Sequence, residues 1–292
     1  MAVVREFPID RWNGPFSADL REAALADLEA GAVLFFPRLA LMLDERERRL
    51  LSTVATDDRS KNVSFDPATG MCKGTSLVGD VQRDLAAVMN RFAESATALL
   101  RDLLPRYAPA LQRARTSFRP AEVAGRPLPW RKDDRRLHVD AFRSRPTRGQ
   151  RILRVFSNVD PAGAPRRWHV GEPFENHARR FLPSVHREWP GSAALLALLG
   201  LTKGRRSAYD HLMLELHDAA KRDAHYQAEA PREVFDFPAG STWMTYTDQV
   251  PHAALSGRFA FEQTFHLDPS AMADPDRAPL RVLERLTQRT LA

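Results

Sequence analysis

Histidine and carboxylate chemistry is what this sequence offers. Nine histidines and 37 acids in 292 residues give about one chance triplet of histidine, any residue and acid. Two His-x-Asp triplets occur, His138-Val139-Asp140 and His266-Leu267-Asp268. In a strand, residues i and i+2 share a face, so either triplet offers an imidazole and a carboxylate to one metal ion. A facial triad of two histidines and one carboxylate needs a further histidine, usually on a downstream strand. No histidine follows His266, whereas His138 is followed by His252. Six residues beyond His252 stands Arg258, across a Ser256-Gly257 turn. A buried arginine demands an anion. A dicarboxylate that chelates iron at one end and meets Arg258 at the other satisfies that demand. Other chemistries lack their motifs. No glycine-rich phosphate loop of either common type occurs, and neither does the G-x-S-x-G nucleophile elbow.

The elements that must hold these residues divide the chain in two. Ala23 to Ala30 is alanine-rich, Asp44 and Glu47 form a capping box, and Asp80 opens a helix. That helix places Val81, Leu85, Met89, Phe92, Ala96 and Leu100 at helical spacing and stops before Pro105. GAVLFFPRL reads as a short strand, SKNVSFDPATGMCKG as a turn-rich loop, and residues 118–136 as an irregular connection. The period then changes. RILRVFSNV (151–159) is a strand by composition, residues 161–190 are loop-rich, and two helices follow. EVFDF, STWMTYT and RFAFEQTFHL close a dense strand region, with a tight hairpin expected across Ser256-Gly257. The expected class is α+β, with an antiparallel β core.

Composition bounds the rest. The chain is 43% hydrophobic and 27% charged, enough apolar content for a core. Cys72 is the sole cysteine, which excludes disulfide frameworks and thiolate-rich metal centres; it reads as an inert thiol. MAVVREFPIDRW has acids and a proline where a signal peptide needs an apolar run, so export is not expected. No stretch is long and apolar enough for a transmembrane helix. The net charge is +6, and only five of the 43 basic residues are lysine. Nine basic residues lie between Arg131 and Arg154, against three acids. This cluster is either a solvated loop or an anion-binding surface.

The order His138-x-Asp140, His252, Arg258 resembles the Fe(II)/2-oxoglutarate-dependent dioxygenases. Within them, RRLHVDAFRSRPTRGQRILRVFSNVDP, YDHLMLELHDAAKRD and FDFPAGSTWMTYTDQVPHAALSGRFAFEQTFHLD resemble the Kdo 3-hydroxylases of Gram-negative bacteria; SKNVSFDPATG agrees. The resemblance implies a double-stranded β-helix, of the jelly-roll or cupin-like kind. One oxygenase domain over 1–292 is expected. It comprises a mainly helical N-terminal layer (1–130), a β-helix core (131–270) with a helical insert at about 176–225, and a terminal helix over 277–291. It also implies Fe(II), 2-oxoglutarate and O2 as cofactor and co-substrates, and hydroxylation at C3 of 3-deoxy-D-manno-oct-2-ulosonic acid (Kdo) in the lipopolysaccharide inner core. His138, Asp140 and His252 are then the catalytic iron ligands, and Arg258 meets the far carboxylate of 2-oxoglutarate, aided by the hydroxyls of Ser157 and Thr245. Arg143, Arg145, Arg148 and Arg151 become candidates for substrate anions, with Trp168 and Trp243 for the sugar faces. The partner is a Kdo-containing lipid A precursor, met in the cytoplasm at the inner-membrane surface, with no nucleic acid expected.

Two other readings stay open at this level. One is an oxygenase of the same chemistry acting on nucleic acid, which the basic charge allows, although Thr264 stands where such demethylases carry a second arginine. The other is a non-catalytic β-helix protein that binds anionic sugars. His211, Glu215, His217 and Asp218 are read as a solvated helix face, and His266 and Asp268 as structural.

Overall fold

A computed structural model describes residues 3–52, 55–56, 60–125, 128–186, 189 and 191–292. Its elements begin with β1 (Val4–Glu6), α1 (Ala18–Glu29), β2 (Val33–Phe36), α2 (Glu45–Arg48), β3 (Val63–Asp66) and β4 (Met71–Lys73). Then come α3 (Gly79–Leu103), β5 (Gln112–Arg119), β6 (Arg151–Asn158) and β7 (Arg166–Val170). Four helices follow, α4 (Phe174–Phe181), α5 (Ser192–Leu198), α6 (Ala208–Arg222) and α7 (Ala224–Glu229). The chain closes with β8 (Glu233–Phe237), β9 (Thr242–Tyr246), β10 (His252–Ser256), β11 (Ala260–Leu267) and α8 (Pro279–Thr287). No helix among the described residues is long and apolar enough to cross a membrane.

The class is α+β. A mixed sheet of eight strands runs β1-β2-β9-β6-β11-β5-β3-β4, with only β1 and β2 parallel. A smaller antiparallel sheet runs β10-β7-β8. Period-two alternation gives the large sheet two working faces. Leu153, Val155, Met244, Tyr246, Phe261 and Phe265 pack on one side against the Leu85, Met89, Phe92, Ala96 and Leu100 stripe of α3. On the other side Phe156 and Trp243 meet Trp168, Val170 and Phe237 from the small sheet in a second buried cluster. Residues between the sheets are therefore inward by strand parity, and Arg154 and Glu262 share that parity with Phe156.

The structure corrects several sequence expectations. Val81 stays 46% exposed, because the stripe of α3 that reaches the sheet begins at Leu85. The first 130 residues are more than a helical layer, since they supply β1 to β5 of the large sheet. SKNVSFDPATGMCKG is a hairpin, with Ser64 opposite Lys73; its short strands are masked by the polar turn between them. β7 lies inside the stretch read as loop, where Pro161, Gly163 and Pro165 precede it. β10 and β11 form no hairpin: they belong to different sheets, and residues 257–259 cross between them.

Candidate active site

Residues 137–140 carry no named strand, yet two backbone bonds fasten them to β10. His138 N–H donates to the His252 carbonyl at 3.1 Å, and His252 N–H returns a bond to the His138 carbonyl at 2.8 Å. Asp140 N–H donates to the Thr247 carbonyl at 2.8 Å. One ligand atom each from His138, Asp140 and His252 then falls within 4.8 Å of the others. The Nδ1 atoms lie 2.7 Å from the Arg136 carbonyl in His138 and 2.8 Å from the Val250 carbonyl in His252. A carbonyl only accepts, so each Nδ1 carries the proton and each Nε2 keeps its lone pair for a metal. Burial lowers both imidazole pKa values, with Lys221 adding to the effect at His138 and Asp140 opposing it at His252. Burial pushes the Asp140 carboxyl up, but Arg154, His252, a hydrogen bond from Thr247 and His217 together outweigh it, and the pKa falls to about 2. Arg154 Nη2 lies 3.1 Å from Asp140 Oδ2. That oxygen nevertheless has no well-directed hydrogen bond. Two neutral imidazoles and a carboxylate on one face are the donor set of a ferrous site with open positions.

The triad opens on a cavity of about 290 Å³ whose wall is strongly cationic. Lys61, Arg119, Arg131, Lys132, Arg154, Arg166 and Lys221 line it, against Asp134, Asp140 and Glu262. Most of these cations have carboxylate partners. Glu262 takes Arg119 at 2.6 Å and Arg154 at 2.8 Å. Asp134 takes Lys61 at 3.3 Å, with Arg119 and Lys221 each at 3.8 Å. Arg166 is different. It is 2% exposed, and among the described residues its one hydrogen bond runs from Nη1 to the Gly257 carbonyl at 3.1 Å. Its Nε has no partner, and neither has the indole Nε1 of Trp168 two residues along the same face of β7. Burial, then the neighbouring Arg119, pushes the Arg166 guanidinium down to about 10. A buried guanidinium with an unpartnered Nε and an unpartnered indole N–H beside the triad fit a carboxylate ligand. Trp168 stacks on the His252 ring at 5.2 Å, and His217 of α6 meets His138 edge-on at 5.1 Å.

Gly257 makes this arrangement possible. Its φ is +104°, and a Cβ there would lie 2.9 Å from the Arg166 Cα. We expect Gly257→Ala to lose about 1–3 kcal/mol of stability, measured by thermal or urea unfolding, and to weaken dicarboxylate binding by displacing Arg166.

A family model described as 3-deoxy-D-manno-oct-2-ulosonic acid (Kdo) hydroxylase matches residues 11–290. A crystal structure of the Kdo hydroxylase KdoO, a non-heme Fe(II) alpha-ketoglutarate-dependent dioxygenase, in complex with alpha-ketoglutarate and Fe(III) superimposes with a TM-score of 0.96. It is 46% identical and covers 99% of this chain and 97% of its own. This chain belongs to the Kdo hydroxylase family. The apo structure of KdoO gives the same values, and the complex with succinate and Fe(III) gives a TM-score of 0.95 at the same identity and coverage. A search of curated proteins finds no match. The enzyme is an Fe(II)- and 2-oxoglutarate-dependent dioxygenase, and alpha-ketoglutarate is the same compound as 2-oxoglutarate.

The structure brings together some of the residues singled out in the sequence and separates others. His138, Asp140, His252 and Trp168 meet at one cavity. Arg258 does not. The crossing between sheets turns it outward, where it is 43% exposed, 3.4 Å from Asp160 and over the ring of Phe259. Ser157 faces the α3 side of the large sheet and shares a 2.7 Å hydrogen bond with Thr242, while Thr245 donates to the Ala32 carbonyl. Neither hydroxyl lines the cavity. Arg151 is buried in a structural pair with Asp248 at 2.8 Å, over the Tyr246 ring. Arg143 pairs with Asp218, Arg145 lies beside Arg115, and Arg148 lines a separate groove. Trp243 is fully buried behind Trp168, stacked between Phe156 and Phe237. His211 and Glu215 interact at the surface with His186, but His217 and Lys221 turn into the cavity, so α6 is not simply solvated. Cys72 is buried, and burial pushes its thiol up to about 11, as an inert cysteine requires. His266 and Asp268 are structural: His266 sits against the Arg151 carbonyl and Asp268 caps the next turn.

Arg119, Arg166, His217 and Lys221 are among the cavity residues that sequence reasoning missed, with Lys61, Asp134 and Glu262. The Arg166-x-Trp168-x-Val170 alternation carried the signal for one of them, inside a segment read as loop.

Proposed function

We propose that the enzyme hydroxylates C3 of a Kdo residue on a lipid A precursor, converting it to Ko with release of succinate and CO2. The observation that carries this reading is the pair of orphaned donors, Arg166 and Trp168, beside the His138-Asp140-His252 triad. His138, Asp140 and His252 hold Fe(II), which when bound supplies the O2-dependent oxidation of a C–H bond. Arg166 anchors the far carboxylate of 2-oxoglutarate, Trp168 donates to it, and Arg119 adds charge. Arg154 keeps Asp140 ionised and correctly turned. Lys61, Arg131, Lys132 and Lys221 line the same cavity and are read as meeting the carboxylate of Kdo, although Asp134 holds Lys61 and Lys221 and Asp218 holds Arg131. The two sheets are read as the walls of a double-stranded β-helix in a single oxygenase domain, working in the cytoplasm at the inner-membrane surface.

The test loads the protein anaerobically with Fe(II), 2-oxoglutarate and Kdo2-lipid A, admits air, and reads lipid and succinate by mass spectrometry. Gain of one oxygen on Kdo, matched by succinate, is expected. Chelation of iron with EDTA should abolish both products, and Fe(II) should restore them. Succinate without lipid oxidation would discard the sugar substrate.

A further inference from the structure

Five of the eleven exposed large hydrophobic residues among the described residues crowd into one short stretch at α5. Trp189 is 83% exposed, Leu195 55%, Leu198 84%, Leu199 62% and Leu201 60%. Leu195, Leu198 and Leu199 stand at i, i+3 and i+4, on one face of the turn. Such a patch on an otherwise charged surface marks an interaction site. Its border is cationic. No acidic residue occurs between Trp189 and Arg206, and Lys203 and Arg205 are exposed beside the leucines. A groove of about 640 Å³ runs from Trp189 past Arg148, Arg205 and Arg206, with no acidic side chain in its lining. Exposed leucines followed at once by exposed Lys203 and Arg205 complement the interface of a bilayer with anionic headgroups. A helix of seven residues reaches about 10 Å, enough to sit among headgroups and far too short to span.

The patch also connects to the active site. Lys203 N–H donates to the Ser144 carbonyl at 2.8 Å, and Arg206 Nη2 to the Arg143 carbonyl at 2.6 Å. Both acceptors lie on the loop that follows Ala141 and Phe142 in the cavity wall. One backbone and one side-chain hydrogen bond thus tie the segment after α5 to the loop that leaves the cavity wall.

We propose that Leu195, Leu198, Leu199 and Leu201, with Trp189, enter an anionic lipid interface, and that Lys203 and Arg205 hold its headgroups. This rests on the lipid-linked substrate only for its purpose, because binding is measured without turnover. The full chain is sedimented with phosphatidylglycerol/phosphatidylcholine vesicles and with phosphatidylcholine vesicles alone. Binding to the anionic vesicles, weakened by salt, is expected. Leu198→Asp/Leu199→Asp should bind at least tenfold more weakly with an unchanged melting temperature, since both side chains are exposed. Lys203→Gln/Arg205→Gln, which leaves the apolar tip intact, should lose the salt-dependent part of binding. Equal vesicle binding by wild type and both variants overturns the proposal. So does sedimentation equilibrium showing a dimer that the leucine variant dissociates, since a second copy would then cover the patch. Vesicle binding that persists when no Kdo lipid is oxidised would leave this surface standing and remove the substrate reading instead.

Discussion

Arg166→Ala should raise the KM for 2-oxoglutarate by about two to three orders of magnitude while Fe(II) binding survives. Removing one partner of a buried, hydrogen-bonded ion pair costs about 3–5 kcal/mol, and 1.36 kcal/mol is tenfold. The sign of the effect on the apoprotein is opposite. Without ligand, Arg166 is a fully buried cation with an orphaned Nε and no carboxylate partner, so its removal should leave the melting temperature unchanged or raised. Initial rates of succinate formation at varied 2-oxoglutarate, beside thermal unfolding of the apoprotein, read both halves. Arg258→Ala is the matched comparison. Its partner is Asp160 and its side chain is 43% exposed, and exposed pairs contribute about 0–1 kcal/mol. Its KM should therefore change by less than about fivefold. A large effect at Arg258 with none at Arg166 would return the dicarboxylate to the other side of the sheet crossing.

The second large effect is at Asp140. Asp140→Ala removes the only carboxylate of the triad and leaves Arg154 pointing at the metal position, 3.1 Å from where the oxygen stood. Losses at residues that merely support metal ligands run to about 10–100-fold, and loss of a ligand with exposure of a cation should exceed that. We expect product formation below about one thousandth of wild type and no saturable Co(II) binding by visible absorption. Retention of Co(II) affinity within about tenfold would mean that another carboxylate, Glu262 or Asp134, holds the metal.

The triad was legible because metal coordination constrains residue type and order, and a strand-like i, i+2 spacing survives in the primary sequence. The helix over residues 79–103 is legible for a similar reason, since its apolar period persists from Leu85 to Leu103, about five turns. The arginine proposed for the dicarboxylate is not. A buried arginine calls for an anion, but the hairpin expected across Ser256-Gly257 puts that burial at Arg258, whereas β10 and β11 part to different sheets and leave its side chain 43% exposed. Whether two successive strands pair or part to different sheets depends on contacts far away in the chain. Here Phe259 enters the α3 cluster while Ala254 stays with the small sheet. The same gap hid His217 and Lys221. Their helix carries charged and apolar residues at mixed spacings, and only the placement of α6 over the triad shows which charges face inward.

The position of β2 in the large sheet has a consequence for biosynthesis. All four of its residues, Val33, Leu34, Phe35 and Phe36, are buried, and its inner neighbour is β9. The Thr245 hydroxyl reaches the Ala32 carbonyl across 213 residues of sequence. A ribosome adding ~5–20 residues per second leaves that edge without its partner for roughly 10–40 s. Ribosome-bound chains halted before Thr242 should consequently recruit holdase chaperones, and release of the chaperone should coincide with emergence of β9 from the exit tunnel.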